Sequence, residues 1–179
     1  LNAYFGLDGL FIVNRGIAGD VTEFALKRFD ADVTQLKPKH VVIKLGINQY
    51  WTLDFSFPQD RRKADDIRAD IVADLDKMIV RSRDNGIVPI VCSILPTSIE
   101  MNVNTALRNR AVREANADIR ALAERTGTIY VDYHSAMADE DGLTLRPGLA
   151  HDGLHPHAGG YDVMAGVLRE TLGRHGIRI

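Results

Sequence analysis

Short apolar runs alternate along this chain with longer stretches of helical period, and that alternation limits the available folds more than any other feature. The runs occupy residues 11–13, 41–46, 87–95 and 128–131. They are nearly continuous in apolar character, as strands covered on both faces are. Between them, Val21, Ala25, Phe29, Val33 and Leu36 fall on one helical face, as do Ile67, Ile71, Leu75 and Ile79. Two later stretches repeat the pattern, with Ala111, Ala115, Ile119 and Leu122, and then Tyr161, Met164, Leu168 and Leu172. Spacings of three and four place each set on a single stripe.

Asp20 and Glu23 have the spacing of a capping box at the first helix, and Asn85-Gly86 and Thr126-Gly127 mark the ends of the second and third. Strands alternating with amphipathic helices predict βαβ units, hence an α/β fold with a parallel sheet between helical layers. Such folds bind ligands beyond the carboxyl ends of their strands. The long connections 49–63 and 95–104 both leave such ends. A chain of 179 residues without repeats or linkers is read as one domain, 1–179.

Several classes are excluded by composition. Apolar residues make up 45% and charged residues 26%, and no stretch reaches the roughly 18 apolar residues of a membrane span. The net charge is -2 with basic residues scattered among acidic ones, so no positive stripe exists for nucleic acid. Cys92 is the single cysteine, which removes an internal disulfide and a cysteine-based zinc site, and its setting predicts a strand interior. The chain starts at Leu1 with no signal-like segment, so localisation is not readable from it.

Chemistry concentrates in three short blocks. In Asp152-Gly153-Leu154-His155-Pro156 the carboxylate precedes the imidazole by three residues, a spacing that lets it accept from Nδ1 and leave Nε2 as a base. The plainer alternative has Asp152 capping the last helix or a turn and His155 packing beside Pro156. Asn14-Arg-Gly-Ile-Ala-Gly19-Asp20 and Gly46-Ile-Asn48 follow predicted strands. Read alone, Gly16 and Gly19 also suit a tight turn, and Asn48 a strand-ending turn.

Together and in this order the three blocks resemble the SGNH, or GDSL-like, esterase and lipase family. The resemblance implies a flavodoxin-like three-layer α/β/α sandwich and a serine ester hydrolase. By the same resemblance Gly19 and Asn48 are the oxyanion-hole donors, His155 is the general base and Asp152 its orienting partner. No cofactor or metal is implied, and the substrate is an acyl ester, a lysophospholipid or an acetylated sugar. Tyr50 and Trp51, with Phe55 and Phe57 nearby, are expected to wall the acyl pocket.

Two departures from the family stand out. Gln49 follows Asn48 where the family carries aspartate, and the Gly-Asp-Ser block is absent. None of Ser56, Ser82, Ser93, Ser98 and Ser135 follows a Gly-Asp. The expectation is therefore that the nucleophilic serine and the first strand precede Leu1, with residues 2–5 left from the helix that follows them. Three rivals are kept. One is a non-catalytic ligand-binding domain of the same fold, and another a phosphate or flavin site at the Gly16 to Asp20 loop. The third is a metal-assisted hydrolase built on His151, Asp152, His155 and His157. His40, His134 and His175 have no partner identifiable from sequence.

Overall fold

The computed structural model describes residues 11–54, 62–100 and 102–179. Among them three parallel strands form one sheet in the order β1 (His40–Ile43), β2 (Val88–Cys92) and β3 (Ile129–Val131). Val42 lies opposite Ile90 and Val91 opposite Tyr130 in its registers. Among the described residues five α-helices accompany the sheet: α1 (Thr22–Asp32), α2 (Ala64–Asp84), α3 (Thr105–Thr126), α4 (Tyr133–Met137) and α5 (Ala158–Arg174).

Strand side chains alternate between two cores, as the two-residue period requires. Ile43 and Val91 join Ala25 and Phe29 of α1, Ile67, Ile71, Leu75 and Ile79 of α2, and Ala111, Ala115, Ile119 and Leu122 of α3. Ile90, Cys92, Ile129 and Val131 point the other way, against Tyr133 and Met137 of α4 and Met164, Leu168 and Leu172 of α5. The fold is thus an open parallel sheet with helices on both faces, and the predicted stripes of α2 and α3 are buried throughout.

Three expectations need correction. Residues 11–13 form no strand, and Phe11 is 94% exposed. No neighbouring strand pairs with this segment among the described residues. Val42 on β1 is also exposed, so β1 is not covered on both faces as its apolar run suggested. The first helix stops at Asp32, and a 3-10 turn at Thr34–Leu36 leaves Leu36 outside the core. Residues 2–5, Ser56, Phe55 and Phe57 lie outside the described residues.

Candidate active site

The loop carrying Asp152 and His155 is built from the chain on either side of it. An antiparallel bridge joins Ala150 to Pro156, and His157 N donates to Leu149 O at 3.0 Å, which closes the base of the loop. At its tip Gly153 adopts φ +73, and a β-carbon there would meet Ser98 O at 2.4 Å. Only glycine fits this combination of positive φ and close approach. Ser98 N donates to Gly153 O at 2.8 Å, pinning the tip to the segment that leaves β2.

Within the loop, Asp152 uses both carboxylate oxygens. Oδ1 accepts from Leu154 N at 2.9 Å and His155 N at 2.8 Å, and Oδ2 lies 2.6 Å from His155 Nδ1. The His155 bond, reinforced by the two backbone donors, holds the Asp152 carboxyl well below the usual carboxylate range. A carboxylate facing Nδ1 selects the tautomer with its proton there, leaving Nε2 as the acceptor. The His155 side chain is 79% exposed, so Nε2 is open to an incoming group. Asp152 thus caps its own turn through Oδ1, but it does not cap the last helix: His157 is the N-cap of α5, its Nδ1 accepting from Gly159 N at 3.1 Å.

Asn48 sits in a 3-10 turn, Ile47–Asp54, beyond the carboxyl end of β1. Its Nδ2 donates to Asp20 O at 2.8 Å, which joins it to the loop that holds Gly19. Gly19 has φ +76 and is exposed in a turn closed by Asp20 N donating to Ile17 O. The two residues expected to form an oxyanion hole are therefore brought together. One hydrogen of the Asn48 amide is committed to Asp20, and an amide nitrogen carries two.

Asp20 does not cap α1 in the predicted way. It is buried, its Oδ2 accepts from Arg28 at 2.6 and 3.0 Å, and the N-cap is Val21. Glu23 pairs instead with Lys27. Gln49 takes up part of the capping. With its amide oxygen toward the helix, it accepts from Thr22 N at 3.1 Å while its nitrogen donates to Gly46 O at 3.3 Å. The residue replacing the expected aspartate thus organises the loop with a neutral group. Val21 N is taken by Asp20 Oδ1 at 3.1 Å. Two N–H groups that a phosphate would need at this helix start are already engaged.

The aromatic pair divides. Tyr50 is fully buried in the first core, and its hydroxyl donates to Ala111 O at 3.3 Å. It has no surface to offer a substrate, so the pocket-wall expectation is corrected for this residue: packing claimed its ring. Trp51 is half-buried, and its Nε1 donates to Asn48 Oδ1 at 3.2 Å.

Sequence reasoning missed the residues that carry the loops. On α3, Asn116 accepts from Ile94 N at 2.7 Å and donates to Ile94 O at 2.9 Å. Seven residues earlier, Asn109 accepts from Thr97 N at 3.0 Å and donates to Thr97 O at 2.7 Å. Each asparagine treats the extended chain as a neighbouring strand would. Farther along, Asn104 bonds Leu53 O and Asp54, and Asn102 bonds Asp54. The 94–104 segment therefore touches both the His155 loop and the Asn48 turn. Two asparagines seven apart on an apolar helical face were the available signal.

Among the described residues no group of three or more histidine, cysteine or acidic side chains is arranged to hold a metal ion. His151 and His157 instead stack, with ring centroids 4.4 Å apart. No described helix is long and apolar enough to cross a membrane.

The sequence profile of the GDSL-like lipase/acylhydrolase family matches residues 1–163. The acetylxylan esterase of Geobacillus stearothermophilus is 28% identical over 183 aligned positions, which span 99% of this chain and 79% of that protein. A GDSL-like lipase from Bacteroides thetaiotaomicron superposes with a TM-score of 0.80 at 25% identity, covering 97% of this chain and 80% of that one. A catalytic mutant of the Geobacillus esterase, with an aspartate changed to alanine, superposes with a TM-score of 0.76 at 25% identity over 99% of this chain and 79% of its own.

Proposed function

Because the chain belongs to the GDSL-like lipase/acylhydrolase family, we propose that it cleaves a carboxylic ester through an acyl-enzyme, with His155 as general base and Asp152 as its orienting carboxylate. The observation that carries this reading is the 2.6 Å contact between Asp152 Oδ2 and His155 Nδ1 in a loop fixed by Ser98 and Gly153. A serine hydroxyl attacks the ester carbonyl carbon while His155 Nε2 takes its proton. The carbonyl oxygen becomes an oxyanion, which accepts from Gly19 N and the second amide hydrogen of Asn48. Collapse breaks the bond to the alcohol, and the imidazolium returns the proton to that alcohol. Water repeats the sequence and releases the carboxylic acid.

The nucleophile is assigned to a residue preceding Leu1. Three serines of this chain are committed elsewhere. Ser82 Oγ donates to Met78 O, Ser93 Oγ accepts from His134 N, and Ser135 Oγ donates to Asp132. Among the described serines Ser98 is the rival, since its backbone holds Gly153. Residues 1–179 are taken as one domain. The relative's activity supports an acetyl ester of a sugar as substrate in preference to a lysophospholipid.

Full-length protein is expected to hydrolyse 4-nitrophenyl acetate and an acetylated xylo-oligosaccharide, and His155→Ala to abolish both. Labelling with a serine-directed fluorophosphonate followed by peptide mapping is expected to mark a serine upstream of Leu1. A label on Ser98, or activity lost in Ser98→Ala without loss of folding, overturns the assignment of the nucleophile. Binding of the oligosaccharide without turnover or labelling would leave the non-catalytic reading.

A further inference from the structure

We infer that Trp51 is a positioning residue for Asn48, holding its side-chain amide so that the nitrogen faces the oxyanion. This rests on the reading of Asn48 given above. An asparagine amide has two nearly isosteric ends, and a half-turn would aim its oxygen at the developing negative charge. Two contacts select the useful orientation. The indole Nε1–H of Trp51 donates to Asn48 Oδ1 at 3.2 Å, and Asn48 Nδ2 donates to Asp20 O at 2.8 Å. An indole N–H only donates and a backbone carbonyl only accepts. The half-turn would set donor against donor and acceptor against acceptor at once, so the unturned amide is favoured and its second hydrogen keeps its direction.

The indole is itself held. The Arg108 guanidinium lies over its ring, 4.1 Å from the centroid, and is fully buried. It forms an ion pair with Asp54, the last residue of the turn that carries Asn48 and Trp51. Arg108 Nε and its Nη1 have no hydrogen-bond partner among the described residues. A buried cation with two unsatisfied nitrogens is costly unless something else stabilises it. Here the π face of Trp51 supplies part of that stabilisation. Moving the ring would take that face away from the two unpaired nitrogens, so Arg108, itself held by Asp54, fixes the plane from which Nε1–H reaches Asn48. Asn109, next to Arg108, anchors Thr97, so this clamp shares its helix with the support of the His155 loop.

The test is a double-mutant cycle in full-length protein with 4-nitrophenyl acetate. Trp51→Phe keeps an aromatic ring for Arg108 and deletes the N–H donor. Removing an oxyanion donor costs about 10²–10³ in kcat, and loosening one is expected to cost about tenfold with KM unchanged. In an Asn48→Ala background the Trp51→Phe change is expected to have no further effect. Independent, multiplying effects with Asn48→Ala clearly impaired overturn this inference alone, as does a Trp51→Phe loss confined to KM, which would make Trp51 part of the substrate wall. Full activity in Asn48→Ala overturns the oxyanion reading beneath it. If Trp51→Phe does not fold, Arg108→Met decides: it frees the ring from above and is expected to give the same kcat loss, again absent without Asn48.

Discussion

Asp152 carries three hydrogen bonds on one exposed loop, and their combined effect on its ionisation makes a specific claim about pH. Its carboxyl lies below its ordinary range in the folded state, chiefly through His155, so the turn it makes is fully present above the unfolded carboxylate pKa. That contribution disappears only as pH falls through the depressed folded value. The carboxylate is therefore ionised across the neutral range, and the acid limb of kcat/KM is not its titration. Asp152→Asn keeps the shape but permits the wrong imidazole tautomer, and a loss of at least about 10²-fold in kcat is expected, with KM little changed. Steady-state kinetics on an acetyl ester decides it; retention of kcat would reduce Asp152 to a turn former. At Gly153 the constraint is steric. Gly153→Ala drives a methyl against Ser98 O, so the loop shifts and activity is expected to fall by about 10²-fold. A crystal structure of the variant should show the 97–99 and 152–155 segments farther apart.

The extended chain after β2 depends on α3 for its backbone hydrogen bonds, which makes helix and loop one cooperative element. Asn116→Ala would leave Ile94 N–H and C=O both buried and unpaired, a destabilisation of about 2–4 kcal/mol measurable by urea denaturation. Cys92 at the end of β2 reports on the same element. Burial pushes its thiol up to about 12, so the thiolate fraction at pH 8 is on the order of 10⁻⁴. Ellman's reagent should leave native protein unreacted and titrate one thiol after unfolding. A fast native reaction would show that β2 is open. These elements also mark what the sequence reveals. The faces of α2 and α3, the buried Cys92 and the Asp152 to Pro156 block follow from periodicity and spacing, which are local. The roles of Asn109, Asn116 and Arg108 are not local, since each joins residues 12 to 54 positions apart. Tyr50 and Trp51 adjoin in sequence, yet one fills the core and the other bonds Asn48, a division made by the turn geometry alone.

At the scale of the whole molecule, the two cores lie on opposite faces of the sheet, and the junctions beyond its strands bear on how far they act together. Ser93, just past β2, accepts from His134 N at 2.7 Å at the start of α4, which follows β3. His134 is buried, and its Nε2 has no partner among the described residues. Burial pushes its pKa below the ordinary imidazole value, outweighing the pull of Asp132. The unfolded chain therefore binds a proton that the folded chain refuses. Stability from this residue is fully present above the unfolded value near 6.5 and is lost as pH falls below it, until the depressed folded pKa is reached. This window opens at a higher pH than that of Asp152. His134→Gln removes the titration while keeping a polar side chain of similar reach. Its Tm is expected to fall less than the wild-type Tm between pH 7 and 5, whatever its starting stability. Parallel Tm curves would mean that the folded protein accepts the proton at His134, and that the junction between β2 and α4 opens well before the molecule unfolds.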